Sequence, residues 1–461
     1  MSDAASIIIS ADAIARMKIM AERVLTVGGG GREHAIVDAL ARAGAEVCAV
    51  MKNRNPGIAR LAKEVLLAKE TDVAKVVHFA QNLSIGLAII GPEAPLEAGL
   101  SDALRNEGIS VVGPSKRAAR METDKGFARS LLAKHEVPGN LRFGAFDDLA
   151  QAIQFAKDAD FQLAVKPVGL TGGKGVKVEG EQLKDKAETL TYIKEVFDRS
   201  IGGVGVVLEE KIVGEEFTLQ AFVDGTRVVP MPLVQDHKRA FEGDMGPNTG
   251  GMGSYSLQDH LLPFVAKEDL ALAMESMRRT VEALRTEDCE YRGVLYGQFM
   301  LTSKGPKIIE FNARFGDPEA MNVLPLLKSN FVDICHGISN GNLSNSDVSF
   351  ARMATVCKYV VPAGYGLEPK ANLPIEVDEK AIAREGAIVF YAAVNEDRGR
   401  ITTSSSRAVG IVGIASDLEG AEASCERALR HVKGEAIYVR HDIGRKEIID
   451  KKVARMRAIR G

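Results

Sequence analysis

Glu310 and Asn312 stand two residues apart in the stretch 307–312, which reads as a β-strand, and alternation along a strand puts both side chains on one face. A strand read at 293–301 precedes it, and Thr302-Ser303-Lys304-Gly305 between the two has turn chemistry, with Gly305 free to take positive φ. A three-residue loop at 303–305 sets a register in which Gln298 falls opposite Glu310. One carboxylate and two amide oxygens on one face suit Mg²⁺, a hard ion that completes its octahedron with water and substrate phosphate. The same spacing also describes a solvated sheet face. What separates the two readings is whether phosphate-binding residues occur elsewhere in the chain.

Glycine-rich segments of that kind occur twice. The strand read at 162–167 carries Lys166 and runs into Gly169-Leu170-Thr171-Gly172-Gly173-Lys174-Gly175. This is not a Walker A loop: Gly169 lies too close to Gly173-Lys174, Gly175 stands where Ser or Thr is required, and a strand follows instead of a helix. Glycines flanked by Lys166 and Lys174 describe a flap that lays backbone N–H groups and ammonium charge over an anion. The second segment, residues 28–34, is GGGGREH between a strand at 24–27 and a helix at 35–43. It opens a βαβ unit with an anion site at the helix N-terminus. It is a poor dinucleotide fingerprint, because the third glycine would fall at Glu33 or His34 and the next strand ends in basic Lys52-Asn53-Arg54. Glu93, in the GPEAPL turn after the strand at 85–90, is a ligand or a helix N-cap. Lys125 sits in a helix read over 115–136. QDHKR at 235–239 and GPNTGGMG at 246–253 form a long polar, glycine-rich stretch of the kind that carries function. His237 within it lacks a second histidine at zinc-ligand spacing.

The elements that must position these residues divide the chain of 461 residues into several domains. We read residues 1–22 as an N-terminal extension and 23–122 as an α/β substrate-binding domain. Residues 123–350 read as a nucleotide domain with a lid at about 144–214, and 351–461 as a small α+β closing domain. A formal charge of −3 excludes a global nucleic-acid footprint. Five scattered cysteines without a CxxC pair argue for a reducing, cytoplasmic setting. No apolar run is long enough to span a membrane.

In order along the chain, GGGGREHA, GPEAPL, the lysine strand with GLTGGKGV, EEKIVGEE, QDHKR, GPNTGGMG and IEFNARFGDPE resemble the phosphoribosylamine–glycine ligases (glycinamide ribonucleotide synthetases) of the ATP-grasp superfamily, over about residues 23 to 450. The resemblance implies an α/β fold: a parallel-sheet N-terminal domain, ATP-grasp central domains and a small α+β C-terminal domain. It implies ligation of glycine to 5-phosphoribosylamine in purine biosynthesis, with ATP as co-substrate, one or two Mg²⁺ or Mn²⁺ ions, and small molecules as the only partners. It also assigns roles. Lys125, Lys166, Gly172, Gly173 and Lys174 would hold ATP phosphates. Glu209, Lys211 and Ile212 would line the adenine, and Glu216 or neighbouring Glu215 would take the ribose hydroxyls. Gln298, Glu310 and Asn312 would hold metal. Arg314, Asp236 and Lys238 would orient glycine and its acyl phosphate. Gly30, Gly31, Arg32, His34, Pro56, Gly57 and Glu93, with Asp236, Gly250 and Gly251, would bind substrate. Three positions depart from the common pattern: Gly29, Pro167-Val168 and Gln298. The competing expectations are another ATP-grasp carboxylate–amine ligase, a nicotinamide-dependent dehydrogenase and a nucleotide sensor without turnover.

Overall fold

The computed structural model describes residues 21–170 and 175–461. Gly172, Gly173 and Lys174, and residues 1–20 of the extension, lie outside the described residues.

Five short apolar strands form the first sheet: β1 (Arg23–Val27), β2 (Glu46–Met51), β3 (Glu64–Leu67), β4 (Leu87–Ile90) and β5 (Ser110–Val112). All pair in parallel in the order β3-β2-β1-β4-β5, so the chain reverses direction across the sheet between β1 and β4. Ligands of open α/β sheets bind at such a point. Helix α1 begins at Gly31 and runs to Arg42, earlier than the sequence spacing implies. Its first turn is held by the Glu33 carboxylate, which accepts the Gly30 N–H at 2.7 Å. Arg32 and His34 are therefore helical residues rather than loop residues.

The helix expected over 115–136 is broken at Asp124. That residue is extended (φ −140, ψ 94), and its carboxylate accepts the Phe127 N–H at 2.9 Å. A side chain that bonds its own downstream backbone ends one helix and starts the next. Lys125 thus opens the helix Lys125–Lys134. Next come β6 (Phe143–Phe146), β7 (Leu163–Pro167), β8 (Lys177–Val178) and β9 (Val206–Glu210), antiparallel in the order β6-β9-β7-β8. Helices Leu149–Asp158 and Lys186–Asp198 cover them. Ala152, Leu163, Val165, Ile193, Val196 and Leu208 give this unit a small core of its own.

After β10 (Glu215–Asp224) and β11 (Val228–Pro230) come the short strands β12 (Gln235–Asp236), β13 (Arg239–Phe241), β14 (Met245–Asn248) and β15 (Gly253–Ser256). The hairpin β16 (Arg292–Thr302) and β17 (Gly305–Asn312) then joins β10 in a sheet ordered β11-β10-β16-β17. Its turn is tighter than the sequence implies: Thr302 pairs with Gly305, which has φ +87, leaving only Ser303 and Lys304 between them. The register nonetheless reaches Gln298 opposite Glu310, because Ile309 is an extra, bulged residue. One residue fewer in the turn and one more in the strand leave the paired faces unchanged.

The remaining strands are β18 (Ala354–Pro362), β19 (Pro374–Val377), β20 (Ala387–Tyr391), β21 (Val394–Asp397), β22 (Arg400–Thr403), β23 (Val409–Ala415), β24 (Val432–Lys433) and β25 (Ile437–Tyr438). The C-terminal sheet has the order β12-β15-β18-β23-β20, with Ser256 opposite Thr355. The segment carrying Asp236 is thus an edge strand of that sheet, while an isolated bridge from Val234 to Thr218 ties it to β10. Two sheets meet at Asp236. Among the described residues no helix is long and apolar enough to cross a membrane.

Candidate active site

A single cavity of about 850 Å³ runs between these sheets. Arg32 and Glu93 reach it from the first sheet, Lys125 and Lys166 from the lid side, Glu216, Asp236 and Glu310 from the central strands, and Arg407 from the C-terminal domain.

On the lid side, the bulge at Ile309 presents two successive carbonyls. Arg129 Nη2 donates to the Ile308 and Ile309 carbonyls, each at 2.9 Å, and Lys166 Nζ donates to the Ile309 carbonyl at 3.1 Å. Both cations also grip Glu209: Arg129 through two bonds of 2.8 and 2.7 Å, and Lys166 at 2.8 Å. Burial alone would raise the Glu209 carboxyl, but Arg129 and Lys166 pull it down to about 2. Glu209 is 2% exposed, so it neutralises and aims Lys166 from beneath. Lys211 spends its amide on the Gln162 carbonyl at 2.8 Å and its ammonium on the Glu179 carbonyl at 3.0 Å. Lys125 Nζ donates to the Gly169 carbonyl at 3.0 Å. Burial lowers its pKa against the opposing field of Glu310.

In the centre, Lys238 Nζ lies 2.9 Å from Glu216 Oε2 and 3.8 Å from Asp236 Oδ2. Burial penalises this ammonium, yet Asp236, Glu216 and Glu310 outweigh that and hold its pKa above the usual lysine range. Asp236 Oδ1 is buried with no hydrogen-bond partner among the described residues. Its carboxyl is raised by burial, and burial together with Asp236 raises Glu319 as well. Two carboxyl groups close together in a dry site cannot both ionise freely. Tyr296 donates its hydroxyl to Glu319 at 2.8 Å. Burial, with Lys452 next, lowers the His237 pKa to about 4; Nδ1 contacts Asp244 at 3.2 Å.

Glu310 and Asn312 face the cavity from one side of β17, as alternation requires. Gln298 stands opposite Glu310, but its carboxamide is engaged. Nε2 donates to Glu216 Oε2 at 2.9 Å, and Oε1 accepts from Thr218 Oγ1 and lies against the Tyr296 hydroxyl oxygen. The expected third metal ligand is therefore a bridge between Glu216 and Tyr296. One carboxylate and one amide oxygen remain, a donor set that fits a divalent ion arriving with a nucleotide's phosphates. Among the described residues no group of three or more His, Cys, Asp or Glu side chains forms a metal cluster.

At the far end, Arg314 Nη2 donates to Glu122 at 2.6 Å and its Nε to Glu93 at 3.3 Å. Glu93 is thus an ion-pair partner, and neither of its carboxylate oxygens is placed as a helix cap. Burial pushes Glu122 up to about 7 in spite of Arg314. Arg32 is 7% exposed and bonds Glu33 and the Phe315 carbonyl. His34, expected to contact substrate, accepts the Tyr391 N–H at Nδ1 (2.9 Å), and burial, with Arg60 second, lowers its pKa to about 3. Gly57 abuts its ring: a Cβ there would stand 1.9 Å from His34 Cε1. Pro56 opens the short helix capped by Asn55, whose Nδ2 also reaches the Gly29 carbonyl at 3.0 Å. Gly28 and Gly30 pack on the Glu33 carboxylate, which occupies the turn read as a phosphate cradle. Arg54 lies 3.7 Å from Glu396 with its side chain still 45% exposed.

Sequence reasoning passed over Arg129, Glu122, Asp317, Glu319 and Arg407. Asp317 and Glu319 lie inside the FGDPE run and were legible there as carboxylates. Arg407 carries no local signal. Its Nη1 donates to the Asp317 carbonyl at 2.8 Å and to the Gly250 carbonyl, and its Nη2 lies 3.3 Å from Asp317 Oδ1. The expected pair Gly250 and Gly251 is thereby tied to the C-terminal domain.

Comparison with known proteins agrees with this architecture. The phosphoribosylglycinamide synthetase N domain matches residues 22–122, its ATP-grasp (A) domain residues 123–320 and its C domain residues 355–446. A phosphoribosylamine–glycine ligase of Methanoregula boonei is 54% identical over 438 residues, 95% of this chain and 100% of its own. That of Methanocaldococcus jannaschii is 52% identical, covering 95% of this chain and 100% of its own. The crystal structure of phosphoribosylamine–glycine ligase from Thermotoga maritima superposes with a TM-score of 0.78 at 28% identity, covering 91% of this chain and 99% of that one. A biotin carboxylase of Campylobacter jejuni, 13% identical with a TM-score of 0.70 over 95% of each chain, shares the fold alone. The parallel first sheet, the lysine-lined cavity and these matches along nearly the whole chain converge: this protein belongs to the phosphoribosylamine–glycine ligase family of ATP-grasp enzymes.

Proposed function

We propose that this chain joins glycine to 5-phosphoribosylamine at the expense of ATP. The glycine carboxylate attacks the γ-phosphorus of ATP, forming glycyl phosphate and releasing ADP. The ribosylamine nitrogen then attacks the acyl carbon, phosphate leaves, and glycinamide ribonucleotide remains. A carboxylate is a poor electrophile and an acyl phosphate a good one, so the work left to the protein is orientation and the neutralising of anions.

The observation that carries this reading is the placement of Lys125, Lys166 and Lys238 around Glu310 in one cavity that also holds Arg314. Lys125 and Lys166 hold the β- and γ-phosphates, with Lys174 of the flap. The Ile212 main chain and Lys211 bound the adenine, and Glu216 takes the ribose hydroxyls. Glu310 and Asn312 would hold Mg²⁺ or Mn²⁺, which would supply charge neutralisation to the transferring phosphoryl group. Asp236, with an orphaned buried oxygen, receives the ammonium of glycine, and Lys238 and Arg314 face the acyl phosphate. Arg32 and Glu93 bound the end of the cavity assigned to the ribosylamine. The proposal includes a substrate domain at 23–122, an ATP-grasp body at 123–350 with a lid at about 144–214, a closing domain at 351–461 and a reducing cytoplasmic setting. The test is ADP release from the purified chain: it should require glycine and chemically generated phosphoribosylamine together. Equal ADP release with bicarbonate or another carboxylate in place of glycine would favour a different ATP-grasp ligase.

A further inference from the structure

The C-terminal helix Lys446–Arg460 begins where the family's C-domain match ends, at residue 446. Its sequence nonetheless builds a docking face. Ile449, Val453, Met456 and Ile459 recur at helical spacing and pack on the main core, with Ile449 and Met456 buried. Docking points three cations of the helix at the nucleotide body. Arg460 donates to both oxygens of Asp269, at 2.8 and 2.7 Å, away from the cavity. Arg455 and Lys452 line the cavity itself.

These two reach the site along separate branches. Arg455 Nη1 lies 3.2 Å from Glu215 Oε1, and Glu215 is 6% exposed. Glu216 follows it directly and, by alternation along β10, lies on the opposite face of the strand; both residues line the cavity. Lys452 Nζ lies 3.5 Å from Asp244 Oδ2. Asp244 contacts His237 Nδ1 at 3.2 Å, and His237 stands between Asp236 and Lys238. Arg455 therefore fixes the neighbour of Glu216, and Lys452 fixes, through Asp244, the histidine between Asp236 and Lys238. Together they place positive charge among Glu215, Glu216, Asp236 and Asp244, which would otherwise repel one another and an incoming anion.

We propose that the C-terminal helix is a working part of the nucleotide site, with Arg455 and Lys452 as positioning residues: Arg455 holds Glu215–Glu216 for the ribose of ATP, and Lys452 holds the Asp236–Lys238 turn through Asp244. This rests on the ligase reading above, which assigns Glu216 to the ribose. It means that nucleotide binding requires the helix to be docked, so the last turns of the chain act on a site built by residues two hundred positions earlier.

The experiment measures binding of MgATP and of its 2′-deoxy analogue to the full chain by titration calorimetry, alongside melting curves. The expected result for Arg455→Gln and Lys452→Met is ATP binding weakened about tenfold, the value of a charged hydrogen bond, with much less change for the deoxy analogue under Arg455→Gln. Arg455→Lys and Lys452→Arg should recover most of the loss. Arg460→Met, which removes an ion pair of the same helix outside the cavity, should leave the ATP-to-deoxy ratio at the wild-type value. Folded Arg455→Gln and Lys452→Met variants that bind both nucleotides as wild type does would overturn the proposal, as would a ratio changed equally by Arg460→Met. Arg455 is exposed along most of its length, so Arg455→Gln is the variant that keeps the fold if Lys452→Met does not. A wild-type chain that binds no MgATP would instead remove the ligase reading on which the proposal stands.

Discussion

Gln298 Nε2 and Lys238 Nζ both donate to Glu216 Oε2, each at 2.9 Å. The carboxylate assigned to the ribose is thus held from the hairpin side by an amide and from the link between β12 and β13 by an ammonium. Gln298→Ala removes the amide arm and leaves Glu216 on Lys238 alone. The expected effect is a rise of roughly tenfold in the KM for ATP, with kcat nearly unchanged, since one hydrogen bond to a charged group is lost from binding. A Mg²⁺ titration of the variant should match that of wild type. A shifted Mg²⁺ requirement would restore Gln298 to the metal site.

Glu310 is the carboxylate of the pair that it forms with Asn312 on one face of β17. Glu310→Gln keeps the shape and removes the charge. Turnover should fall on the order of a thousandfold, the usual cost of losing charge stabilisation of a transferring phosphoryl group. The melting temperature should stay within a few degrees of wild type. Near-normal turnover at ordinary Mg²⁺ would remove Glu310 from the metal site.

Glu209 links lid stability to pH. Arg129 and Lys166 hold its folded pKa at about 2, below the ordinary carboxylate value, so the folded state binds fewer protons than the unfolded chain between those values. The stabilisation is present in full above the unfolded pKa and is lost as pH falls through the folded one. A shift of this size corresponds to about 3 kcal/mol, with the group buried. Glu209→Gln should therefore be destabilised near neutral pH, and its deficit against wild type should shrink steadily between pH 5 and 3. Denaturant titrations of both proteins across that range check it; a deficit that does not change with pH would mean that Glu209 acts by packing alone.

Gly57 lies against the face of His34, whose ring cannot retreat. Its Nδ1 is fixed by the Tyr391 N–H, and Phe390 and Tyr391 close on it at centroid distances of 5.4 and 6.0 Å. Gly57→Ala places a methyl within 1.9 Å of that ring. The expected cost is about 1–3 kcal/mol from overpacking, read as a lower melting temperature. A stability equal to wild type would show that the helix Pro56–Leu61 shifts freely.

Local pattern in the chain was enough to identify the strands, the glycine turns and the order of the motifs, because alternation and turn chemistry act over a few residues. The hairpin shows both the reach and the limit of that information. Gln298 was legible opposite Glu310 because face parity survives a turn shortened by one and a bulge that adds one. The bulge itself was not legible, since it exists to offer the Ile308 and Ile309 carbonyls to Arg129 and Lys166, which lie far away in sequence.

The family and the reaction class were thus determined by the sequence itself, through motifs whose residue types admit few other uses. Which of those residues are free to meet a ligand was decided by tertiary structure. His34 is spent on Tyr391, Glu209 on Arg129 and Gln298 on Glu216, while Arg407, Lys452 and Arg455 enter the cavity from parts of the chain with no motif. The physical reason is that a buried charge or amide must find a partner wherever the packing brings one, and partners hundreds of residues apart leave no trace in local spacing.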